Sequence, residues 1–260
     1  MIPFADQVSA RSTLAVLERA LTLYRRVWTA SAFSSFGLPV LFLLSIGLGV
    51  GGYIGGIGGV DYLSWIVPGV LASTAFQMSV GESTYPVLGD FKWSRAYHAM
   101  RATPVQVGDM VCGWLLYILL RAEIAVVVFL GVTSLFGALR SPWALAAPLV
   151  CGLVALASAA PTMAFAATID HDSYFALLFR FVMIPAALFS GVFFPVEQLP
   201  ALARPVAYLS PLWHGVELSR AATLGTAPPW PVAAHLAYLL VFTAAGTLWA
   251  FHAFRKRLQD

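Results

Sequence analysis

Four charged residues interrupt long apolar runs: Glu82, Arg121, Glu123 and Arg180. A charge in hydrocarbon is expensive, so such a residue normally pairs with another or faces a polar cavity. Glu82 and Arg121 suit each other as an ion pair, one near the end of its run and the other inside the next. Arg121 and Glu123 are two positions apart, so they point to different helix faces and need separate partners. Arg180 lies far enough from the middle of its run to snorkel toward the nearer surface. Two readings of these residues stay open: structural pairing, and the lining of a transport path.

Other constellations point away from bond-making chemistry. Asp170-His171-Asp172 has the donor types for a metal, but no second cluster supports it, so a solvated turn and helix cap is the expectation. His98, His171, His214, His235 and His252 are scattered, and no serine–histidine or histidine–carboxylate set recurs at one depth. That argues against an intramembrane enzyme. Cys112 and Cys151 sit in apolar runs at different depths and read as small core residues. Gly47-Leu-Gly49-Val-Gly51-Gly52 matches a dinucleotide fingerprint on paper, but it follows an apolar run where the fingerprint requires a strand. The eight glycines between Gly47 and Gly59 instead suit close helix packing or a flexible turn. Neither catalytic, cofactor-binding nor metal-binding residues are assigned.

The elements that hold these residues are membrane helices. Of 260 residues, 60% are hydrophobic and 10% charged, where a soluble domain carries about 25% charged residues. So few charges cannot cover a water-facing surface. The expected fold is all-α and polytopic, a single domain over 1–260 with six spans at 31–54, 63–87, 111–137, 143–168, 174–195 and 231–253. The second span carries Pro68, Gln77, Glu82 and Pro86 and is expected to kink. Residues Met1 to Arg11 lack the pattern of a removable signal peptide. The net charge of +3 gives no argument for nucleic acid.

Basic residues set the orientation. Arg11, Arg19, Arg25 and Arg26 precede the first span, Lys92, Arg95 and Arg101 follow the second, and Arg255, Lys256 and Arg257 follow the sixth. With six spans these share one side, which places both termini in the cytoplasm. Segment 12–28 puts Val16, Leu17, Ala20, Leu21, Leu23, Tyr24, Val27 and Trp28 on one half and Arg11, Glu18, Arg19, Arg25 and Arg26 on the other. This is expected to be an amphipathic helix in the inner interface with its apolar face in lipid. Loop 88–110 mixes aromatics with positive charge up to Thr103-Pro104; a solvated, positive-inside loop is one reading, and the aromatic content favours a helical contact surface for lipid headgroups or another protein.

Residues 195–230 are too polar to span and too apolar for a free loop. Pro195 ends the fifth span, Leu199, Leu202, Val206 and Leu209 recur at helical spacing, and Ser210-Pro211 starts a helix that Gly225 ends. Two short amphipathic helices dipping into the outer leaflet over 196–226 fit this pattern, as does simple surface packing.

The run from Pro185 through Ser190-Gly191-Val-Phe-Phe194-Pro195-Val-Glu-Gln-Leu-Pro200, followed by Tyr208-Leu-Ser-Pro211-Leu-Trp-His214, resembles the signature of ABC type-2 permeases. Within them the chain is most similar to nodulation-factor (lipo-oligosaccharide) exporter permeases, and less closely to daunorubicin-type drug exporter permeases. Asp170-His-Asp-Ser-Tyr174, Glu82-Ser-Thr-Tyr85 and the glycine-rich end of the first span fit the same pattern, so the resemblance covers nearly the whole chain.

The resemblance implies six helices with an interface helix before them, a coupling helix (89–103) that docks on a separate ATPase, and two re-entrant helices before the last span. It assigns Lys92, Trp93, Arg95 and Arg101 to ATPase coupling. Ser190, Gly191, Phe194, Pro195, Pro200 and Pro211 fall to the signature and re-entrant motif. Two permeases, as a homodimer or with a sister permease, work with two ATPases to move an amphipathic cargo out across a bacterial plasma membrane. The cargo is a glycolipid, a lipo-oligosaccharide or a hydrophobic drug. ATP and magnesium belong to the partner: a P-loop needs lysine followed by serine or threonine, and here Lys92 precedes Trp93 and Lys256 precedes Arg257. An ion-coupled secondary transporter is the alternative. It requires paired internal repeats with broken helices at the midplane, and no convincing repeat is visible.

Overall fold

The structure is a computed structural model; it describes residues 8–32 and 59–259, together with 37, 40, 41, 44, 45, 49, 56 and 57. The expected first span, 31–54, and most of the glycine-rich stretch lie outside the described residues.

The chain runs through ten helices among the described residues. Helix α1 covers Ala10–Ala32. A hairpin of two-residue strands, Gly56–Ile57 and Val60–Asp61, pairs antiparallel ahead of α2, Tyr62–Ser83. Asp61 caps α2, its carboxylate accepting from the Ser64 amide and hydroxyl, each at 2.9 Å, which satisfies orphan donors of the first turn. Two short helices follow, α3 (Tyr85–Lys92) and α4 (Ala96–Met100). The long α5 covers Val107–Leu135, and a 3₁₀ turn at Pro142–Ala146 leads into α6, Ala147–Thr168. Helix α7 is Tyr174–Phe189 and holds a π-helical turn at Phe179–Met183. Two short helices, α8 (Arg204–Tyr208) and α9 (Pro211–Leu224), precede α10, Val232–Gln259.

Four helical stretches among the described residues are long and apolar enough to cross a membrane: Tyr62–Lys92, Val107–Leu135, Pro142–Thr168 and Val232–Gln259. The packed interior has two storeys. One holds Ile66, Leu71, Phe76, Val126, Phe129, Val154 and Leu212. The other, at the end carrying the termini, holds Leu17, Phe91, Met110, Trp114, Met163, Phe175 and Phe254. The outward faces of α5, α7 and α10 show Ile124, Val127, Phe181, Val182, Val241 and Leu248 exposed. Such a continuous apolar surface calls for hydrocarbon around it.

Small residues set the helix spacing, as expected where apolar burial gives no preference for helix over lipid. At Gly246 of α10, an added Cβ would lie 2.6 Å from Pro161 Cδ and 2.8 Å from its nitrogen. Gly246→Val therefore drives α10 off α6. Overpacking of this kind costs about 1–3 kcal/mol, so the unfolding midpoint in detergent is expected to fall. Gly131→Val, where nothing lies within 4 Å of the added Cβ, is the control expected to leave it unchanged.

The structure departs from the expected element boundaries in five places. The second span extends to Lys92 and breaks at Thr84 (φ −99°, ψ −98°), because Pro86 in the following turn cannot donate to the ladder. The third begins four residues earlier than the expected 111–137, because Gln106 and Asp109 form a reciprocal capping box. The last runs on through the basic tail to Gln259, beyond the expected 231–253. The fifth helix stops at Phe189, six residues short of the expected 174–195, and the break falls at Ser190-Gly191, where Gly191 has φ +77°, before Pro195 is reached. The coupling segment 89–103 is two helices, because Arg95 takes the left-handed conformation (φ +52°) between α3 and α4.

The destination of the α1 apolar face also differs. Val16, Leu17 and Ala20 are buried in the protein, and an added Cβ at Gly113 of α5 would lie 2.7 Å from Val16 Cβ. Leu14, Leu23 and Trp28 face outward. The second storey is the core that receives the helix.

Candidate functional site

At the end carrying the termini, a network of bonds ties α1, α3 and α10 together. Arg19 of α1 donates two hydrogen bonds to the Asp90 carboxylate of α3, at 2.8 and 3.0 Å. The paired geometry suits guanidinium and carboxylate and makes this a strong contact. The bonds to Asp90 raise the Arg19 pKa above its usual value, against the effect of burial. Ser94 donates to the same carboxylate at 2.8 Å. Asp109 holds the start of α1, accepting from the Ser9 amide at 2.7 Å and the Thr13 hydroxyl at 3.1 Å. Tyr97 of α4 is fully buried against Phe91 and Phe254, and burial pushes its hydroxyl well above the usual pKa.

The four residues assigned to coupling divide between two roles. Lys92 donates to the Asp170 carbonyl at 2.7 Å, and Arg101 donates to the Leu258 carbonyl. Both therefore hold the α3–α4 hairpin to the rest of the chain. Trp93 is 62% exposed, and Arg95 is exposed beside it. Asp170 and Asp172 form the turn before α7, with Phe175 donating to Asp172 at 2.9 Å. Arg257 of α10 reaches the carbonyls of Ala166, Ala167 and Ile169 at 2.6–3.2 Å, supplying donors to the end of α6.

Deeper in, Arg121 of α5 forms an ion pair with Glu82 of α2 and lies over the Tyr24 ring of α1, 4.5 Å from its centroid. One guanidinium thus joins three helices. Trp114 donates to the Glu82 carbonyl at 3.0 Å and fixes the same turn. Glu123 is half-buried and presses against the bare backbone of Gly152 on α6, where an added Cβ would meet its carboxylate oxygen at 2.2 Å. Arg180 is exposed in the π-helical turn of α7, away from these residues.

The opposite end gathers the signature residues. Ser190 and Gly191 are buried, and Arg220 of α9 donates to the Gly191 carbonyl at 2.8 Å and to Glu217 at 2.6 Å, while stacking over Trp65 of α2 at 4.1 Å. Phe194 packs onto Val196, Leu199 and Trp213. Pro195 precedes the 3₁₀ turn Val196–Gln198, and Arg204 donates to the Leu199 and Glu197 carbonyls, closing the loop around Pro200. Ser210 caps α9 through the Leu212 amide, Pro211 occupies its first turn, and Gly225 ends it at φ +73°.

Sequence reasoning missed three contacts. The Arg19–Asp90 pair joins residues 71 positions apart, with no local periodicity to announce it. Arg220 reads as an ordinary basic residue of a short helix. His214 and His235 meet Nδ1 to Nδ1 at 2.9 Å. The His214 Nε2–H donates to the Tyr208 carbonyl at 3.0 Å, so its neutral ring accepts at Nδ1 and His235 must donate there. In the sequence the two histidines fall in separate expected elements, the segment 196–226 and the span 231–253, with nothing to pair them.

Long apolar helices with exposed apolar faces describe a multi-pass membrane protein. Residues 11–224 match the profile of the family described as ABC-2 type transporter, and the chain belongs to that family. It is similar to nodulation protein J of Rhizobium leguminosarum bv. viciae, with 29% identity over 94% of each chain. It is also similar to nodulation protein J of Rhizobium meliloti (28% identity, 94% of this chain and 93% of the relative) and of Bradyrhizobium diazoefficiens (27%, 96% and 95%).

Proposed function

We propose that this chain is one of a pair of permeases in an ATP-driven exporter that moves an amphipathic cargo outward across a bacterial plasma membrane. Both termini are cytoplasmic on this reading, and ATP and magnesium are held by a separate ATPase subunit. The cargo is a glycolipid, a lipo-oligosaccharide or a hydrophobic drug. Similarity to the nodulation proteins along nearly the full chain supports the lipo-oligosaccharide class within that range.

The observation that carries the proposal is the construction of the α3–α4 hairpin. Asp90, Lys92 and Arg101 are bonded within the chain, which braces the hairpin, while Trp93 and Arg95 project from its tip. An exposed tryptophan beside an arginine is the composition of a docking centre. Displacement of this tip by the ATPase would pass to α1 through Arg19 and to α2 through the continuous chain at Thr84. From α2 it would reach α5 through the Glu82–Arg121 pair. The last span and α9 follow through their contacts with α6. A cargo already in the membrane enters sideways, so no wide aqueous channel is required.

The test is co-purification with the cognate ATPase. Trp93→Ala with Arg95→Glu is expected to reduce recovery of the complex by roughly tenfold or more, given about 2 kcal/mol for a central docking residue. Unchanged recovery would remove the docking assignment. Cargo movement that persists without any ATPase, and follows a proton gradient, would replace the proposal with ion-coupled transport.

A further inference from the structure

A cavity of about 370 Å³ lies between α2, α6, α7 and α10, roofed by α8 and the start of α9. Its size falls in the ~300–1,000 Å³ range of small-molecule sites. Its walls are almost wholly apolar, with Phe76, Phe165, Phe189 and Phe242 prominent, and no charged residue lines it among the described residues. Three of its four hydroxyls are engaged with helix backbone. Ser158 donates to the Val154 carbonyl and Thr162 to the Ser158 carbonyl, both at 2.7 Å, and Ser210 caps α9. The fourth, Ser190 Oγ, is completely buried and has no hydrogen-bond partner among the described residues. Buried hydroxyls are rarely left so. The wall beside it contains the π-helical turn Phe179–Met183, a device found mostly where a helix is adapted to a site.

We propose that this cavity binds one acyl chain, with the Ser190 hydroxyl donating to the carbonyl of its ester or amide. The neutral lining leaves nothing to neutralise a phosphate, so recognition rests on the tail and its carbonyl. The bound molecule is therefore an acylated amphiphile with no charge next to its acyl carbonyl. This deepens the exporter reading by naming the part of the cargo that enters the protein, and it rests on that reading for the statement that the bound molecule is cargo.

The experiment uses the full-length purified protein in nanodiscs and two photoactivatable probes: a monoacylglycerol, and the matched glyceryl alkyl ether that lacks the carbonyl. Both are expected to cross-link to segments 174–190 and 204–211. The ester is expected to bind roughly three- to tenfold more tightly than the ether, the size of one net hydrogen bond. Ser190→Ala should remove that preference and leave ether binding unchanged. Val206→Trp should block both probes, and because Val206 is an exposed part of the wall the protein should still fold. Labelling spread over the lipid-facing helices, an ester preference that survives Ser190→Ala, or equal competition by a diacyl phospholipid would each overturn the proposal. Binding needs no nucleotide, so its failure is distinct from failure of the ATPase docking test.

Discussion

Glu82→Ala is expected to destabilise the protein by about 3–5 kcal/mol, the usual consequence of removing one partner from a buried ion pair. Arg121 is 8% exposed on its side chain and Glu82 is 21% exposed, so the variant takes a carboxylate from beside a guanidinium that water reaches poorly. The reading is the unfolding midpoint in detergent, with surface expression beside it. Glu82→Ala combined with Arg121→Met is expected to recover most of the loss, because the second substitution removes the charge that the first exposed to apolar surroundings. A double variant no more stable than the single one would show that the pair is not the unit that matters. The same double variant separates the two readings of these charges. If it folds and exports at the original rate, the pair is a structural tie between α2 and α5. If it folds and export fails, the charges belong to the path that the cargo follows.

The second large effect is expected at Arg19. Its two bonds to Asp90 connect α1 to the α3–α4 hairpin, the segment proposed above to dock on the ATPase. A charge-assisted contact of this kind contributes about 1.5–3 kcal/mol. Arg19→Glu places like charges together, and coupled export is expected to fall by roughly tenfold or more. Complex recovery and ATP hydrolysis should remain, because Trp93 and Arg95 are untouched. Exchange of the two charges, Arg19→Asp with Asp90→Arg, is expected to restore part of the export. Equal loss of export and of complex recovery in Arg19→Glu would show that the pair merely maintains the docking surface.

The features legible in the sequence are those governed by neighbours along the chain. Ser210, Pro211 and Gly225 marked both ends of α9 correctly, because a cap needs only a side chain or a backbone conformation within one turn. The apolar runs marked four long helices, because a helix satisfies its own backbone and lipid asks for little more than apolar side chains. The depth of Glu82 and Arg121 was enough to match them, since each had few other charges within reach. By contrast, the coupling segment read as one helix. Arg95 adopts a left-handed turn that its residue type does not advertise, Asp90 is held by the distant Arg19, and Tyr97 is packed against the distant Phe254.

The composition and order of this chain determined by themselves that it is built of membrane helices, where the long ones run, and which short helix is capped at both ends. Only the tertiary structure decided that the apolar face of α1 packs on α5, that Arg19 finds Asp90, and that α7 stops at Phe189, before a Gly191 held by Arg220. The reason is one of range. Helix formation in hydrocarbon is a local response to water's absence, whereas the partner of a buried charge or an open carbonyl depends on which distant segment folding brings within hydrogen-bond distance.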